Sequence, residues 1–472
     1  MVMFMNEYLQ YIYLKLKSSS DFKHRELKCN LGTINLFFID NLCDSKFISE
    51  YIIAPFIRND NIKADIEDVK KNVLYSNSIG DIKTKEDAVI HILSGDVVIV
   101  FDFISSAIYC EAKVFSKRSI SIPIAEAVLK GPREGFNEVI VDNISLIRRK
   151  IKNGNLTVEL QLLGEKSNTT VALIYLKGSA PNNLVDYIKK KLSSINLDFL
   201  LDINYIQEQL QCKYTCFDTI GYTEKPDIAS SKILEGKVVV LVDGTPFALI
   251  APYFFIENFQ TADDYYLNKY YSNFTRVLRI FAFMISLFLP GIYIALATHH
   301  FSLIPLEFIF RLSASRADVP LPLSVEVVIM TFFFIFLREA GIRLPQPIGQ
   351  AISIVGALIL GDAAVGAGLA SQSTVIIVAL SAITSFLTPK LNTAMIFWEF
   401  IVIVLSSLLG LMGFFMAIFI FCAHVGSLNS CGYSYFMPFT TSEQFDYRDL
   451  AARDNLQDIS KNMLQTDEDE RK

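Results

Sequence analysis

The chain has 472 residues, 52% of them hydrophobic, with a mean hydropathy of +0.37 and a net charge of −6. It is too apolar for a large soluble enzyme and too polar for a chain that lies in a membrane throughout. Charged residues are scarce between Phe281 and Cys422 and common elsewhere. We therefore expect a soluble N-terminal half, a membrane half and a short polar tail.

The composition and motifs also narrow the class of function. The acidic balance argues against a nucleic-acid partner, and no Walker A, dinucleotide, zinc-protease or nucleophile-elbow motif occurs in the sequence. The seven cysteines show no C-x-x-C spacing, and we read them as reduced thiols of a cytosolic domain. We predict a non-enzymatic protein with no catalytic residue, no cofactor and no metal.

The N-terminal half alternates β-rich and helical patterns. Residues 96–103 and 107–115 predict a hairpin, and LTVELQLLG with TTVALIYLKG predicts a second strand pair. Isoleucines at helical spacing predict a helix over 139–153, and PNNLVDYIKKKLSSI predicts another. KVVVLVDGTPFALIAP predicts two strands about an Asp-Gly turn.

These patterns predict an α/β soluble half of two small subdomains that divide near residue 195. The predicted domains are subdomain 1 (1–195), subdomain 2 (196–272), a transmembrane domain (273–425) and a C-terminal polar tail (426–472). From Thr441 onward we expect a solvated helix followed by a frayed end.

The membrane half contains four apolar runs long enough to cross a bilayer. The predicted spans are 277–298, 319–337, 371–387 and 395–423. The run 351–360 is short and is interrupted by GDAAVGAG, which suits a re-entrant or broken helix; a full crossing over 348–367 would give five spans instead. Four spans place both termini on one side, which we expect to be cytoplasmic.

The stretch REAGIRLPQPIGQ, from Arg338 to Gln350, places charge beside apolar spans, where an ionised side chain costs about 2.5–3.5 kcal/mol. In one interpretation, Arg338 and Arg343 are interfacial anchors and Glu339 is their partner. In the other, an ordered turn lines a wet vestibule in which Arg338 and Glu339 pair or meet backbone carbonyls, and a helix of small residues descends beside an ion pathway. The small residues alone would also suit tight helix packing.

Polar residues in apolar surroundings favour the pathway, because such residues face a bundle interior or a cavity. The candidate pore or gating residues are Glu326, Arg338, Glu339, Arg343, Gln350, Gly356, Leu360, Asp362 and Val365. In the soluble half, GPREGF is either a turn in which Glu134 caps the next helix or a contact made by Arg133 and Glu134. We group Arg133, Glu134, Arg276 and Arg279 as candidate oligomer or coupling contacts.

Several long motifs carry a resemblance that covers nearly the whole chain. They are KGPREGFNE with NISLIRRKIKN, YTEKPD, LEGKVVVLVDGTPFALIAP, REAGIRLPQPIGQAISIVGALILGDAAVGAG and GYSYFMPF. With these the chain resembles the A subunits of GerA-family spore germinant receptors. Ile335 and Asp362 depart from that pattern, which has glutamate and glutamine at these positions.

The resemblance implies an endospore-forming bacterium and a multi-pass protein of the spore inner membrane, with its N-terminal half on the core side. It implies a homo-oligomer that contacts membrane lipid and passes monovalent cations when a nutrient is sensed. It also implies two partners, a transporter-like B subunit and a lipoprotein C subunit. The alternatives are a paralogue coupled to dipicolinate release, a secondary transporter and a non-conducting scaffold; the sequence shows no repeated halves of the kind that transporters often have.

Overall fold

The computed structural model describes residues 7–59, 64–76, 78–104, 106–112, 126, 128–344, 356, 359–437, 439, 449 and 452–459. The strands are β1 (Phe22–Cys29), β2 (Gly32–Ile39), β3 (Ile79–Ile82), β4 (Asp96–Phe101), β5 (Ala107–Glu111), β6 (Leu156–Leu163), β7 (Thr169–Leu176), β8 (Gly221–Thr223), β9 (Val238–Val242), β10 (Ala248–Ala251), β11 (Asn429–Ser430) and β12 (Tyr433–Ser434). The longer helices are α1 (Glu7–Leu16), α2 (Lys85–Leu93), α3 (Ile140–Lys150), α4 (Asn182–Ser193), α5 (Asn204–Leu210), α6 (Pro226–Leu234), α7 (Lys269–Thr298), α8 (Leu306–Ser315), α9 (Leu323–Arg343), α10 (Gln372–Ser385), α11 (Asn392–Leu409) and α12 (Leu411–Ser427). Shorter helical turns occupy Asp40–Leu42, Ser45–Phe47, Ile48–Ile53, Ala54–Arg58, Ile66–Asp68, Val69–Val73, Phe255–Phe259, Asp263–Tyr266, Phe301–Leu303, Pro389–Leu391 and Leu456–Ile459.

The first α/β unit is built on an antiparallel sheet of order β1-β2-β4-β5-β3. Alternate residues of β4 point to opposite faces, so Ile99 joins one apolar cluster and Val98 joins another, which α1 and α2 cover. β4 and β5 pair directly, which confirms the predicted hairpin. The unit therefore has a core on each side of its sheet.

The second unit repeats this plan with an antiparallel sheet of order β6-β7-β9-β10-β8. The two predicted strand pairs of this region, β6 with β7 and β9 with β10, are confirmed. Gly244 has φ +91°, as the predicted Asp-Gly turn requires. Because β7 pairs with β9, residue 195 lies inside this unit, and the predicted division there is wrong. The first sheet ends at Glu111 and the second begins at Leu156, so the change of unit falls between those residues.

A buried ion pair joins the two units. Arg148, at the end of α3, has no exposed surface and donates through Nε and Nη2 to the two carboxylate oxygens of Asp21, at 2.9 and 2.8 Å. Ser20, next to Asp21, donates its backbone N–H to the carbonyl of Val158 on the edge strand β6 at 2.8 Å. The first unit is thus anchored to the edge of the second sheet.

The helical half has two ends, defined by what they contact. We call the end that touches the soluble half, near Phe283 and His424, the proximal end; the opposite end, near His299 and Gly410, is the distal end. Helices α7 and α11 run from proximal to distal, and α9, α10 and α12 run back. Two described helical stretches, 269–298 and 389–409, are long and apolar enough to cross a membrane, and α10 and α12 are apolar but shorter. The number of spans stays a prediction.

The run 395–423 was predicted as one span, and the structure contradicts this. A break at Gly410, with φ +61°, separates α11 from α12. The two helices then run antiparallel, since Trp398 near the start of α11 contacts His424 near the end of α12. A Cβ atom on Gly413 would lie only 1.9 Å from the carbonyl oxygen of Leu405, so glycine permits this close return.

The soluble and helical halves share one apolar cluster. Phe255 of the second unit packs edge-to-face against Phe283 of α7 and Tyr435 of the C-terminal segment. Tyr435 is fully buried, and its carbonyl accepts the backbone N–H of Phe255 at 2.8 Å. Residues 428–437 are therefore part of the core, and the prediction of a polar tail from 426 is wrong for this segment.

Candidate functional site

The two halves meet at a network of buried charges that the sequence only partly indicated. Asp264, in the helical turn before α7, accepts hydrogen bonds from Arg276 at 3.2 Å and from Arg279 at 2.8 Å. Burial alone would raise the pKa of Asp264, but the bond from Arg279 and the charge of Arg276 hold that pKa below its usual range. Both arginines were predicted as oligomer or coupling contacts; here they bind groups of their own chain.

The C-terminal segment completes this network. Arg276 donates through Nη1 to Asp449 at 2.5 Å, and Arg453 donates to the backbone carbonyl of Asp264 at 2.6 Å. Asp449 is 2% exposed and Arg453 is 5% exposed. The expectation of a solvated tail is therefore wrong for these residues. We call Asp264, Arg276, Arg279, Asp449 and Arg453 the junction network.

A second buried charge cluster lies beside the network. Glu257 binds Lys232 at 2.7 Å and Lys237 at 2.5 Å, and Lys232 also binds Glu235 at 2.8 Å. Burial opposes ionisation of Glu257, yet the two lysines lower its pKa to about 2. Burial lowers the pKa of Lys237 and raises that of Glu235, because the neighbouring opposite charges do not fully offset the loss of water around either group. We call these four residues the buried charge cluster.

Sequence reasoning missed this cluster, although a signal was present. Glu235 and Lys237 flank the glycine that leads into an entirely buried strand, and charged side chains that are buried beside such a strand need partners of opposite charge. The cluster borders a cavity of about 570 Å³ between the second unit, α7, the turn at Lys390 and the C-terminal helical turn. The cavity is therefore bordered by the soluble half, the helical half and the C-terminal segment.

The GPREGF turn contacts the second unit of the same chain. Gly131 has φ +117°, and the carbonyl of Pro132 accepts a bond from Lys225 Nζ at 2.8 Å. Glu134 pairs with Arg149 at the other end of α3, and α3 has no side-chain cap at its start, so the predicted capping role is wrong. Arg133 is exposed, and its role as an oligomer contact stays a proposal.

At the distal end, Glu326 is fully buried and multiply bonded. Its Oε1 accepts from Arg316 at 3.1 Å, and its Oε2 accepts from the Ser371 backbone and the Thr374 hydroxyl, both at 3.1 Å. These contacts pin the start of α9 to the start of α10. In this structure Glu326 therefore holds α9 and α10 together.

At the proximal end, the predicted partnership of Arg338 and Glu339 does not form. The whole of REAGIR belongs to α9 and forms no separate turn, and neighbouring residues on a helix point in different directions. Glu339 instead pairs with Arg343, four residues on, at 2.5 Å on the exposed surface. Arg338 turns inward and donates through Nη1 to Asn392 at 2.7 Å.

The predicted pathway helix is described in part. Gln350 lies outside the described residues, and Gly356 is described while its immediate neighbours in the sequence are not. Residues 359–366 are helical, and we call them the small-residue helix. The predicted interruption at GDAAVGAG is therefore wrong as far as Gly366. Leu360 and Val365 are half-buried, whereas Asp362 is exposed and has no hydrogen-bond or ion-pair partner among the described residues.

The small-residue helix lies between the two ends of the helical half. A Cβ atom on Gly356 would meet Leu337 near the proximal end, and one on Gly368 would meet the carbonyl of Asp318 near the distal end. Gly361 lies beside Val375, in the first turns of α10. The segment that carries Asp362 therefore lies within the helical half, away from the soluble half, with Asp362 itself on an exposed side. The described residues contain no group of three or more His, Cys, Asp or Glu side chains arranged to hold a metal.

Comparisons with known proteins agree over almost the whole chain. The family described as Bacillus/Clostridium GerA spore germination protein matches residues 10–463. Spore germination protein KA of Bacillus subtilis (strain 168) is 37% identical over 429 residues, which cover 89% of this chain and 79% of that protein. The uncharacterized membrane protein YfkQ of the same strain is 33% identical, covering 95% of this chain and 88% of that protein. A crystal structure of the N-terminal domain of the A subunit of the Bacillus megaterium spore germinant receptor GerK3 matches with 26% identity and a TM-score of 0.41, covering 53% of this chain and 95% of that one.

Proposed function

Because the chain belongs to the GerA family of spore germination proteins, we propose that it is the A subunit of a germinant receptor and that its copies assemble into a nutrient-gated channel for monovalent cations. In this proposal it lies in the spore inner membrane with its soluble half on the core side. It works with a transporter-like B subunit and a lipoprotein C subunit.

One observation carries the conducting role. Asp362 is an exposed carboxylate on the small-residue helix, within a helical half whose surface is largely apolar. An ionised carboxylate facing lipid costs several kcal/mol, so intramembrane acids face a bundle interior or water. No described residue of the same chain covers this side of the helix, and further copies of the chain supply the missing surroundings. An acid at a shared, water-filled surface attracts cations.

The junction network gives the route from sensing to opening. Asp264 belongs to the soluble half and is bonded to two arginines of α7, so movement of the second unit is passed directly to that helix. Helix α7 in turn packs along α10 and α11. The coupling role predicted for Arg276 and Arg279 is in this way carried within one chain, and Arg133 remains available for a contact between copies.

The test is made in spores in which each variant replaces the chromosomal copy. Asp362→Asn removes the charge at nearly constant size, and Asp362→Glu keeps it. Glu307→Gln is the matched control, because Glu307 is an exposed acid on another helix of the same half. Potassium release is recorded after addition of a nutrient mixture, with protein levels checked by immunoblot.

We expect Asp362→Asn to slow potassium release about fivefold, the effect of one unit charge about 4 Å away across water. Asp362→Glu and Glu307→Gln should release potassium as the wild type does. Normal release from Asp362→Asn, with normal protein level, would mean that the conduit lies elsewhere. Loss of germination with intact, inducible potassium release would favour the non-conducting scaffold.

A further inference from the structure

Arg338 is a half-buried cation, and no described carboxylate lies within ion-pair distance of it. Its Nη1 donates to Asn392 Oδ1 at 2.7 Å and lies 3.4 Å from Ser385 Oγ, both neutral groups. Within the described part of the chain no carboxylate comes within ion-pair distance of it, because Glu339 is taken by Arg343. A guanidinium has five N–H donors, so Arg338 has donors left for a ligand.

Those donors border an apolar cavity. A space of about 570 Å³ lies between α9, α10 and α11, and the Arg338 side chain forms part of its wall. Most of the remaining wall is aliphatic or aromatic; its members include Phe334, Val378, Ala382 and Met395. Glu399 also lines the cavity, two turns deeper than Asn392 on the same face of α11, where its Oε1 accepts from Ser381 at 3.2 Å. The cationic group therefore sits at one end of a mainly apolar space.

The mouth of this cavity faces sideways. Ile342, Ile383 and Phe386 line it and are 73%, 59% and 59% exposed. Exposed apolar side chains on the outside of a helical membrane half are in contact with acyl chains. Arg338 lies five residues before the end of α9, about 7.5 Å along the axis, so its guanidinium is near the proximal end of that helix. The cation thus matches the phosphate of a phospholipid, and the apolar wall and its sideways opening match an acyl chain that enters from the bilayer.

We propose that this cavity binds one anionic phospholipid at the proximal end, with its phosphate on Arg338 and part of an acyl chain in the apolar space. The planar fork of arginine matches two phosphate oxygens, and a lipid with net negative charge compensates a cation that has no carboxylate within ion-pair distance in the described part of the chain. Basic pockets between membrane helices on the cytoplasmic side suit such head groups. The inference concerns lipid binding alone and does not rest on ion conduction.

The test uses the full-length protein purified in a neutral detergent with phosphatidylcholine. Phosphatidylglycerol is titrated in, and bound lipid is counted by native mass spectrometry while unfolding is followed through the fluorescence of Trp398. Arg338→Gln removes the cation. Arg343→Gln is the matched control, since Arg343 lies on the same helix near the same end, is exposed and does not line the cavity. Ala382→Phe fills the cavity and leaves the arginine in place.

We expect one phosphatidylglycerol to bind the wild type and Arg343→Gln and to raise their unfolding temperature. Arg338→Gln should bind it about tenfold more weakly, the loss expected when a charge-assisted contact is removed. Ala382→Phe should also bind it more weakly, because the new side chain occupies the space of the acyl chain. Equal binding by all four proteins would overturn the proposal. Equal stabilisation by glycerol phosphate would also overturn it, because the site would then be one for small anions. If Arg338→Gln lost self-association but still bound the lipid, the proposal would fail as well, because Arg338 would then belong to a subunit interface.

Discussion

Arg276 in the first turns of α7 and Asp449 near the C-terminus form an ion pair 2.5 Å long across 173 residues of sequence. Both side chains are at least 99% buried. The pair fastens the end of the chain to the helix that leaves the soluble half. A buried charge that loses its partner is strongly destabilising, so this contact should be essential to the junction.

We predict that Asp449→Ala lowers the free energy of unfolding of the full-length protein by about 3 kcal/mol, because the buried Arg276 guanidinium loses its 2.5 Å contact with a carboxylate. The matched control is Asp454→Ala, whose partner Lys269 is 34% exposed and whose contact is 3.4 Å long. That pair should contribute less than about 1 kcal/mol. Thermal unfolding can be followed through Trp398, the single tryptophan. Equal destabilisation by the two variants would show that the buried junction pair contributes no more to the free energy of unfolding than the exposed pair does.

The buried charge cluster predicts an acid-sensitive stability. Glu257 has its pKa lowered from 4.5 to about 2 by Lys232 and Lys237, against the effect of burial. Since the folded state binds this proton more weakly than the unfolded chain, the contribution is complete above pH 4.5 and is lost as the pH falls to about 2. It amounts to about 3 kcal/mol for a shift of this size.

We therefore expect Glu257→Gln to be less stable than the wild type at pH 7 and to approach it as the pH falls from 4.5 to 2. Glu159→Gln is the control, because Glu159 pairs with Lys189 where both side chains are about one-third exposed. Unfolding temperatures measured over this pH range give the comparison. A difference between wild type and Glu257→Gln that stays constant with pH would contradict the assignment.

The parts of the fold that follow from local chemistry could be predicted. Period-two alternation and the Asp243–Gly244 turn identify the strand pairs because each strand needs only its neighbour. The pairing of Glu339 with Arg343, which the anchor interpretation included, also follows from their spacing of four residues. The boundary at 195 failed because β7 pairs with β9 across three intervening helices and the strand β8, which no local pattern indicates.

The candidate site was harder to predict from the sequence, because its contacts also join residues that are distant along the chain. Lys237 and Glu257 lie 20 residues apart and Arg276 and Asp449 lie 173 apart, and charge alone does not reveal which distant carboxylate a buried cation will meet. The break at Gly410 was hidden inside an uninterrupted apolar run. Hydropathy reports that a segment avoids water, and it is silent on whether the segment continues or turns back.

The return of α12 along α11 depends on the absence of a side chain at one position. Gly413→Ala would place a Cβ atom 1.9 Å from the Leu405 carbonyl oxygen, a backbone atom that cannot move aside alone. We predict a loss of about 1–3 kcal/mol, the usual cost of overpacking. Gly426→Ala on the same helix is the control, because its Cβ meets nothing within 4 Å and alanine favours helix. Equal unfolding temperatures for the two variants would contradict the close approach.

The last prediction separates packing from conduction within the small-residue helix. Among the described residues, a Cβ atom on Gly366 meets nothing within 4 Å, whereas one on Gly361 lies 3.6 Å from Val375. Gly366→Leu should therefore leave the fold of each chain intact and project into whatever lies on the open side. If that space is a path shared between copies, a gate balanced by a few kcal/mol will shift.

We expect Gly366→Leu spores to contain normal amounts of the protein and either to leak potassium without nutrient or to release none with it. Gly361→Leu should instead reduce the amount of folded protein, because the larger side chain must displace Val375 of α10. Potassium release and protein level are measured in the same spores, with and without nutrient. Wild-type release from Gly366→Leu at normal protein level would show that the open side of this helix faces neither a path nor a partner, and the conducting role would then have to be sought along another helix.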